Sequence, residues 1–146
     1  MTGILFVCHG NICRSPMAEY VMKDLVSKRG LAADFFIDSA ATSTEEIGNG
    51  VHPGTRRKLA RMGIPCGGHK ARQMTRADYE RFDYLIGMEG RNVSNMLRIL
   101  GGDPEGKVRR LLPGRDIADP WYTGDFDATY EDVAAGCGAL LEEILG

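Results

Sequence analysis

Short apolar runs alternate along this chain with longer amphipathic stretches, as strands alternate with helices. Gly3-Ile4-Leu5-Phe6-Val7 reads as a buried strand. A helix follows from Pro16 to about Arg29, with Met17, Tyr20, Val21, Asp24, Leu25 and Lys28 at helical spacing and Gly30 as its left-handed stop. Ala33 to Ala40, carrying Phe35, Phe36 and Ile37, predicts a second strand. The polar stretch Ala41–Gly54 predicts a long loop, of the kind that is functional or mobile in a compact domain. Thr55 to Met62 is helical, ended by Gly63 and Pro65, and Ile64–Met74 is irregular and basic. Thr75-Arg76-Ala77-Asp78 opens a short capped helix, and Phe82–Met88 is a third strand. Arg91–Leu100 is a helix closed by Gly101-Gly102. Lys107–Leu112 is a fourth strand weakened by Arg109 and Arg110, Pro113–Asp127 is loop, and Ala128–Leu145 is a final amphipathic helix.

That alternation predicts an α/β domain over residues 1–146, a four-stranded parallel sheet with right-handed crossovers and helices on both faces. Ligand sites in such sheets lie beyond the carboxyl ends of the strands. Cys8, Ser39, Glu89 and the Pro113–Asp127 loop each follow or end a strand, so all four are expected at one edge.

Composition narrows the function classes. At 43% hydrophobic and 26% charged, the chain is ordinary for a globular protein. Its apolar runs are too short for a signal peptide or a membrane span. Four cysteines do not make a disulfide framework, and reactive thiols imply a reducing, cytoplasmic setting. The net charge of −2 is segregated: seven Lys and Arg without an acid between His52 and Arg76, eight Asp and Glu without a base from Asp116 onward. The pattern reads as two solvated faces, or as a basic rim that steers an anion, and it lacks the aromatic interleaving of a nucleic-acid surface. A monomer without membrane or nucleic-acid partners is expected.

The chemistry concentrates in Val7-Cys8-His9-Gly10-Asn11-Ile12-Cys13-Arg14-Ser15-Pro16. Ser15 is placed as an N-cap and Pro16 as the first helical residue, giving strand, loop and helix in succession. Backbone N–H groups then converge at a helix N-terminus to form an anion cradle from His9, Gly10, Asn11, Ile12, Cys13 and Ser15. Cys8 and Arg14 frame the cradle as Cys-x5-Arg. A thiol beside an arginine and a helix N-terminus is held as thiolate, and the planar guanidinium matches two phosphate oxygens. Together they describe phosphoryl transfer to sulfur. Cys66 and Cys137 stand without neighbouring ligands, so no metal site is expected, and the glycine patterns of nucleotide-binding loops are absent. A proton donor is needed opposite the nucleophile. Asp116, Asp119, Asp125 and Asp127 share the correct loop, where Asp119-Pro120-Trp121-Tyr122 sets a carboxyl on a stiff turn beside two aromatic rings.

Cys8-x-Gly-Asn-Ile-Cys-Arg-Ser-Pro resembles the signature of the low-molecular-weight protein tyrosine phosphatases, and the likeness covers nearly the whole chain. The resemblance implies hydrolysis of phosphotyrosine in proteins through a phosphocysteine at Cys8, without cofactor or metal. It implies Asp119 as general acid and then base, since Asp119-Pro120-Trp121-Tyr122 is similar to the family's Asp-Pro-Tyr-Tyr segment. Trp121 replaces the first tyrosine and Tyr122 is retained, both as pocket wall. Ser39 is expected to support the loop, His69 to brace Asn11, and Ser15 to donate to Cys8, while Asn11 suits a left-handed backbone position. The chain departs from eukaryotic relatives at Glu45-Glu46, where they carry an aromatic; Glu45 makes that wall acidic, unfavourable to acidic phosphopeptides. Arsenate reductases of this fold use extra cysteines after the third strand, and Gly87–Gly106 has none. Arginine phosphatases of this fold tend to have Thr where Ile12 stands. A non-catalytic phosphate-binding module needs neither Asp119 nor a thiolate. Cys13 offers oxidised Cys8 a disulfide partner.

Overall fold

The computed structural model describes residues 1–146. Four parallel strands, β1 (Thr2–Cys8), β2 (Phe35–Ala41), β3 (Tyr84–Gly87) and β4 (Val108–Arg110), lie in the order β2-β1-β3-β4. Their connections contain α1 (Arg14–Lys28), α2 (Pro53–Arg61), α3 (Asp78–Arg81) and α4 (Gly90–Leu100); α5 (Pro120–Thr123) and α6 (Phe126–Leu145) complete the chain. The expected α/β class and all-parallel four-stranded sheet are what the structure has.

Side-chain alternation along β1 divides the core in two. Ile4, Phe6 and Cys8 face α1 and α6, in a cluster with Met17, Val21, Ile86, Val133 and Leu140. Leu5 and Val7 face the other way, with Ala40, Leu85, Phe82 and Met96. Residues 3–8 of β1 are buried on both faces, which is why this strand is a continuous apolar run. The stripe α1 buries is Met17, Ala18, Val21, Met22 and Val26; Asp24, Leu25 and Tyr20 border it and Lys28 is exposed. Gly87 ends β3 where α4 crosses close: a Cβ there would stand 3.1 Å from Asn92 and Val93.

Several boundaries differ from the sequence expectation. α1 begins two residues before Pro16, with Cys13 at the N-cap position and no side-chain cap, so Ser15 lies inside the helix. Its hydroxyl is drawn instead toward Cys8 and Asn11. β2 begins at Phe35 after a 3₁₀ turn, Ala32–Asp34, and runs on to Ala41, so Ser39 lies within the strand. α2 starts two residues before Thr55, at Pro53, because the His52 ring caps it. β3 and β4 are each shorter than their apolar runs. The 113–127 segment is not all loop: Asp119 caps α5, and Asp125 caps α6 by accepting from the Ala128 N–H at 2.9 Å.

Two glycines of α6 separate packing from propensity. A Cβ on Gly136 would meet Leu111 Cγ at 2.5 Å, whereas one on Gly138 meets nothing within 4 Å. Gly136→Ala is expected to lower the urea midpoint, overpacking by about 1–3 kcal/mol against a smaller helical gain. Gly138→Ala is expected to raise it by about 0.5–1 kcal/mol. Equal shifts in the two variants would refute the packing of α6 on Leu111.

Candidate active site

The sheet register assembles the site. Cys8 ends β1 opposite Ala41, and Ser39 lies opposite Phe6, one layer below the loop that leaves β1. The loop 9–13 then folds over the end of β2 and enters α1. To reverse so sharply it places Asn11 at φ 59°, the one non-glycine residue in the left-handed region. Asn tolerates that conformation better than most residues, and here its side chain also secures it. Fully buried Asn11 donates from Nδ2 to Ser15 Oγ and Ser39 Oγ, both at 2.9 Å, and its Oδ1 accepts from the Arg72 N–H at 3.2 Å. Its carbonyl lies 2.8 Å from His69 Nε2, which must therefore carry the proton.

These contacts give the hydroxyls a direction. Ser39 Oγ donates to Glu19 Oε1, because a carboxylate only accepts. Ser39 and Ser15 both accept from Asn11, so the Ser15 proton goes to Cys8 Sγ, 3.0 Å away, in preference to the Ala40 carbonyl at 3.5 Å. The Asn11 N–H points at the same sulfur, at 3.3 Å. Two donors thus converge on Cys8 Sγ. The N–H groups of His9, Gly10, Ile12 and Cys13 have no acceptor within the protein, and those of Arg14 and Ser15 stand at the start of α1, where none is intrahelical. The ring they form suits a tetrahedral oxyanion.

Arg14 is only 2% exposed. Its Nη1 donates to the Ile117 carbonyl at 2.8 Å and lies 3.2 Å from Glu89 Oε2; Nη2 is 3.4 Å from Asp119 Oδ2. Asp119 Oδ1 accepts from the Trp121 N–H at 3.0 Å, so the cap that starts α5 also fixes the carboxyl. Cys8, His9, Gly10, Ile12, Cys13 and Arg14 line a cleft of about 230 Å³ on one side, and Glu45, Glu46, Asp119, Trp121 and Tyr122 on the other. Glu45 Oε2 is 2.9 Å from His9 Nε2. Trp121 and Tyr122 are 58% and 84% exposed, so the wall stands open to solvent. Ser39 and His69 lie beneath the loop, outside the cleft. No group of three or more His, Cys, Asp or Glu side chains is arranged to hold a metal ion.

Three participants escaped the sequence reading. Glu19 is buried and receives Lys23 Nζ at 2.6 Å as well as Ser39; its place one turn after Ser15 was the available signal. Glu89 was placed at the correct edge without a partner. The Ile117 carbonyl left no trace in side-chain chemistry. Burial, with the charges of Cys8 and Asp119 adding to it, pushes the Cys13 thiol up to about 12.

Comparison with known proteins gives one family. Residues 3–145 match the model of the low molecular weight phosphotyrosine protein phosphatases. Low molecular weight protein-tyrosine-phosphatase YfkJ of Bacillus subtilis is 40% identical over 99% of this chain and 96% of its own. The crystal structure of YfkJ superposes with a TM-score of 0.95, covering 99% of this chain and 95% of that one. The human low molecular weight phosphotyrosine protein phosphatase is 38% identical over 97% of this chain and 94% of its own. A Drosophila arginine phosphatase superposes with a TM-score of 0.88 at 32% identity, over 100% of this chain and 99% of that one. The chain belongs to the low molecular weight phosphotyrosine protein phosphatase family, and its activity is that of a protein tyrosine phosphatase, a phosphoric monoester hydrolase.

Two expectations follow from this geometry. Asn11→Gly keeps access to positive φ and loses the side-chain bonds, whereas Asn11→Ala loses both. Alanine is therefore expected to be less stable than glycine by about 1 kcal/mol in urea unfolding; a more stable alanine variant would show that φ here is not limiting. Burial also raises the Tyr20 hydroxyl, to about 12, and the Cys137 thiol. With Cys13, these groups hold protons in the folded chain that the unfolded chain releases nearer their ordinary values, about 8.5 for a thiol and 10 for a phenol. Their contribution is complete below about pH 8 and lost as pH rises, so the urea midpoint should fall between about pH 8 and 10.5. A midpoint that rose over that range would contradict the sign.

Proposed function

We propose that Cys8 is the nucleophile of a two-step hydrolysis, with Arg14 as the phosphate clamp and Asp119 as general acid and base. The observation that carries this reading is the convergence on one cleft of Cys8 Sγ, the buried Arg14 fork and the Asp119 carboxyl. The phosphate of a phosphotyrosine side chain lies in the ring of loop N–H groups, its oxygens paired with the Arg14 guanidinium. Cys8 Sγ attacks phosphorus and forms an S–P bond while the P–O bond to the phenol breaks. Asp119 gives its proton to the departing oxygen. It then takes a proton from the water that attacks phosphocysteine, releasing inorganic phosphate and restoring both groups. Arg14 and the loop N–H groups balance the charge of the pentacoordinate phosphorus, a role a metal fills elsewhere. Glu89 and the Ile117 carbonyl keep the guanidinium aimed, since both hold the same nitrogen.

Trp121 and Tyr122 wall the cleft against the tyrosyl ring, and Ile12 lines it with an apolar side chain, which favours an aryl ester over a charged guanidinium. Four free thiols suit a reducing compartment, so we place the protein in the cytoplasm.

The test is phosphate release in EDTA from phosphotyrosine, phosphoserine and phosphoarginine. Phosphotyrosine turnover is expected to persist in EDTA and to vanish in Cys8→Ser. Asp119→Ala is expected to lower kcat by about 100- to 10,000-fold, with a smaller loss on p-nitrophenyl phosphate, whose leaving group needs less help from a proton. Turnover of phosphoarginine alone would move the chain to the arginine branch. Undiminished kcat in Asp119→Ala would remove Asp119 from its role.

A further inference from the structure

One residue beside the cleft, behind Trp121, is used three ways, once through its backbone and twice through its ring. His52 stands where the 42–52 loop meets α2. Its backbone N–H donates to the Ile12 carbonyl in the phosphate loop at 2.8 Å. Its ring Nδ1 accepts from the Gly54 N–H at 3.0 Å and so caps α2. Its ring also stacks on Phe126, with centroids 5.3 Å apart and planes 23° from parallel, and meets Trp121 edge-on at 5.6 Å and 78°.

The stack has a fixed back. A Cβ on Gly54 would come within 2.3 Å of the Phe126 ring, so Phe126 closes directly over the first turn of α2 and presents its face to His52. Trp121, by contrast, sits on a helix of four residues, too short to hold an indole by its own backbone, and is more than half exposed. Its one ring-to-ring contact is with His52. Asparagine, a stronger N-cap than histidine, would satisfy the Gly54 N–H equally well. What the imidazole adds is the ring.

We propose that His52 is a positioning residue that props Trp121 beside the phosphate loop and thereby sets the cleft's preference for a flat aryl leaving group. The inference rests on the reading of Trp121 as pocket wall. Phosphate recognition is independent of the imidazole, because the link from position 52 to the loop is a backbone N–H that any residue but proline supplies.

The experiment compares His52→Asn, which keeps a cap acceptor and removes the ring, with Trp121→Ala and the unaltered protein. Three quantities are read: KM for phosphotyrosine, the inhibition constant of inorganic phosphate, and acrylamide quenching of Trp121, the chain's one tryptophan. His52→Asn is expected to raise KM by about three- to tenfold, the worth of one aromatic contact. Trp121 should become more quenchable, and phosphate inhibition should stay within about twofold. Unchanged KM and quenching in His52→Asn would overturn the proposal, as would a parallel rise in KM and the phosphate constant, which marks damage to the loop itself. If Trp121→Ala raises KM and His52→Asn does not, the proposal falls and the wall reading stands. If Trp121→Ala leaves KM unchanged, the wall reading falls and takes the proposal with it.

Discussion

The site depends on one backbone angle. A chain that leaves a strand and enters a helix within five residues can aim its N–H groups at a common point only if one residue turns left-handed, and that residue is Asn11. Glycine would permit the turn without holding it. Asparagine holds it, because its amide reaches Ser15, Ser39 and the Arg72 backbone at once. Those partners lie in α1, in β2 and in the 62–77 segment, so the loop's curvature is fixed by the assembled fold and not by its own sequence. The sheet register is part of this: a slip of one residue between β1 and β2 would turn Ser39 to the opposite face and leave the Asn11 amide unpaired in the interior.

The charges are arranged with the same economy. Arg14 is a cation taken almost wholly out of water, which is tolerable only because Ile117, Glu89 and Asp119 surround it. Two carboxylates, a carbonyl and the Cys8 thiol group are thus gathered about one guanidinium, which stays aimed because its partners come from three different segments of the chain.

What was legible in the sequence is what local chemistry determines. Cys8 and Arg14 could be read from spacing, and the strand order of chemistry from the rule that ligand sites gather at the carboxyl edge. Ser15 was misread for an instructive reason. A serine before a proline at a helix start looks like a cap, but its hydroxyl is engaged by three buried groups, Cys8, Asn11 and the Ala40 carbonyl, and the helix begins a turn's fraction earlier without a cap. Glu19 is easily passed over because a glutamate four residues before a lysine reads as a solvated pair; the fold shows that Ser39 comes in from β2 beneath it. The α5 helix escaped because four residues leave no periodicity to detect, although Asp119-Pro120, the cap and first residue that start it, was noticed for other reasons.

The two sides of the cleft are built differently, and the difference bears on specificity. The loop side is largely backbone, braced by buried hydrogen bonds through Asn11 and His69. The opposite side is Glu45 and Glu46 on an irregular loop and Trp121 and Tyr122 on the four-residue α5, side chains that meet solvent. Glu46 is packed close enough that a Cβ on Gly10 would come within 3.3 Å of its Cγ, and Asn49 Nδ2 donates to its carboxylate at 2.6 Å. One wall is thus acidic and the other aromatic, over a floor that is fixed. Substitutions that reshape the cleft without disturbing the loop 9–13 therefore belong at Glu45, Trp121 and Tyr122, whose side chains line it from outside that loop. Asn11, Arg14 and Ser15 have no such latitude, since their buried side chains are tied to β2, to the 117–119 segment and to Cys8.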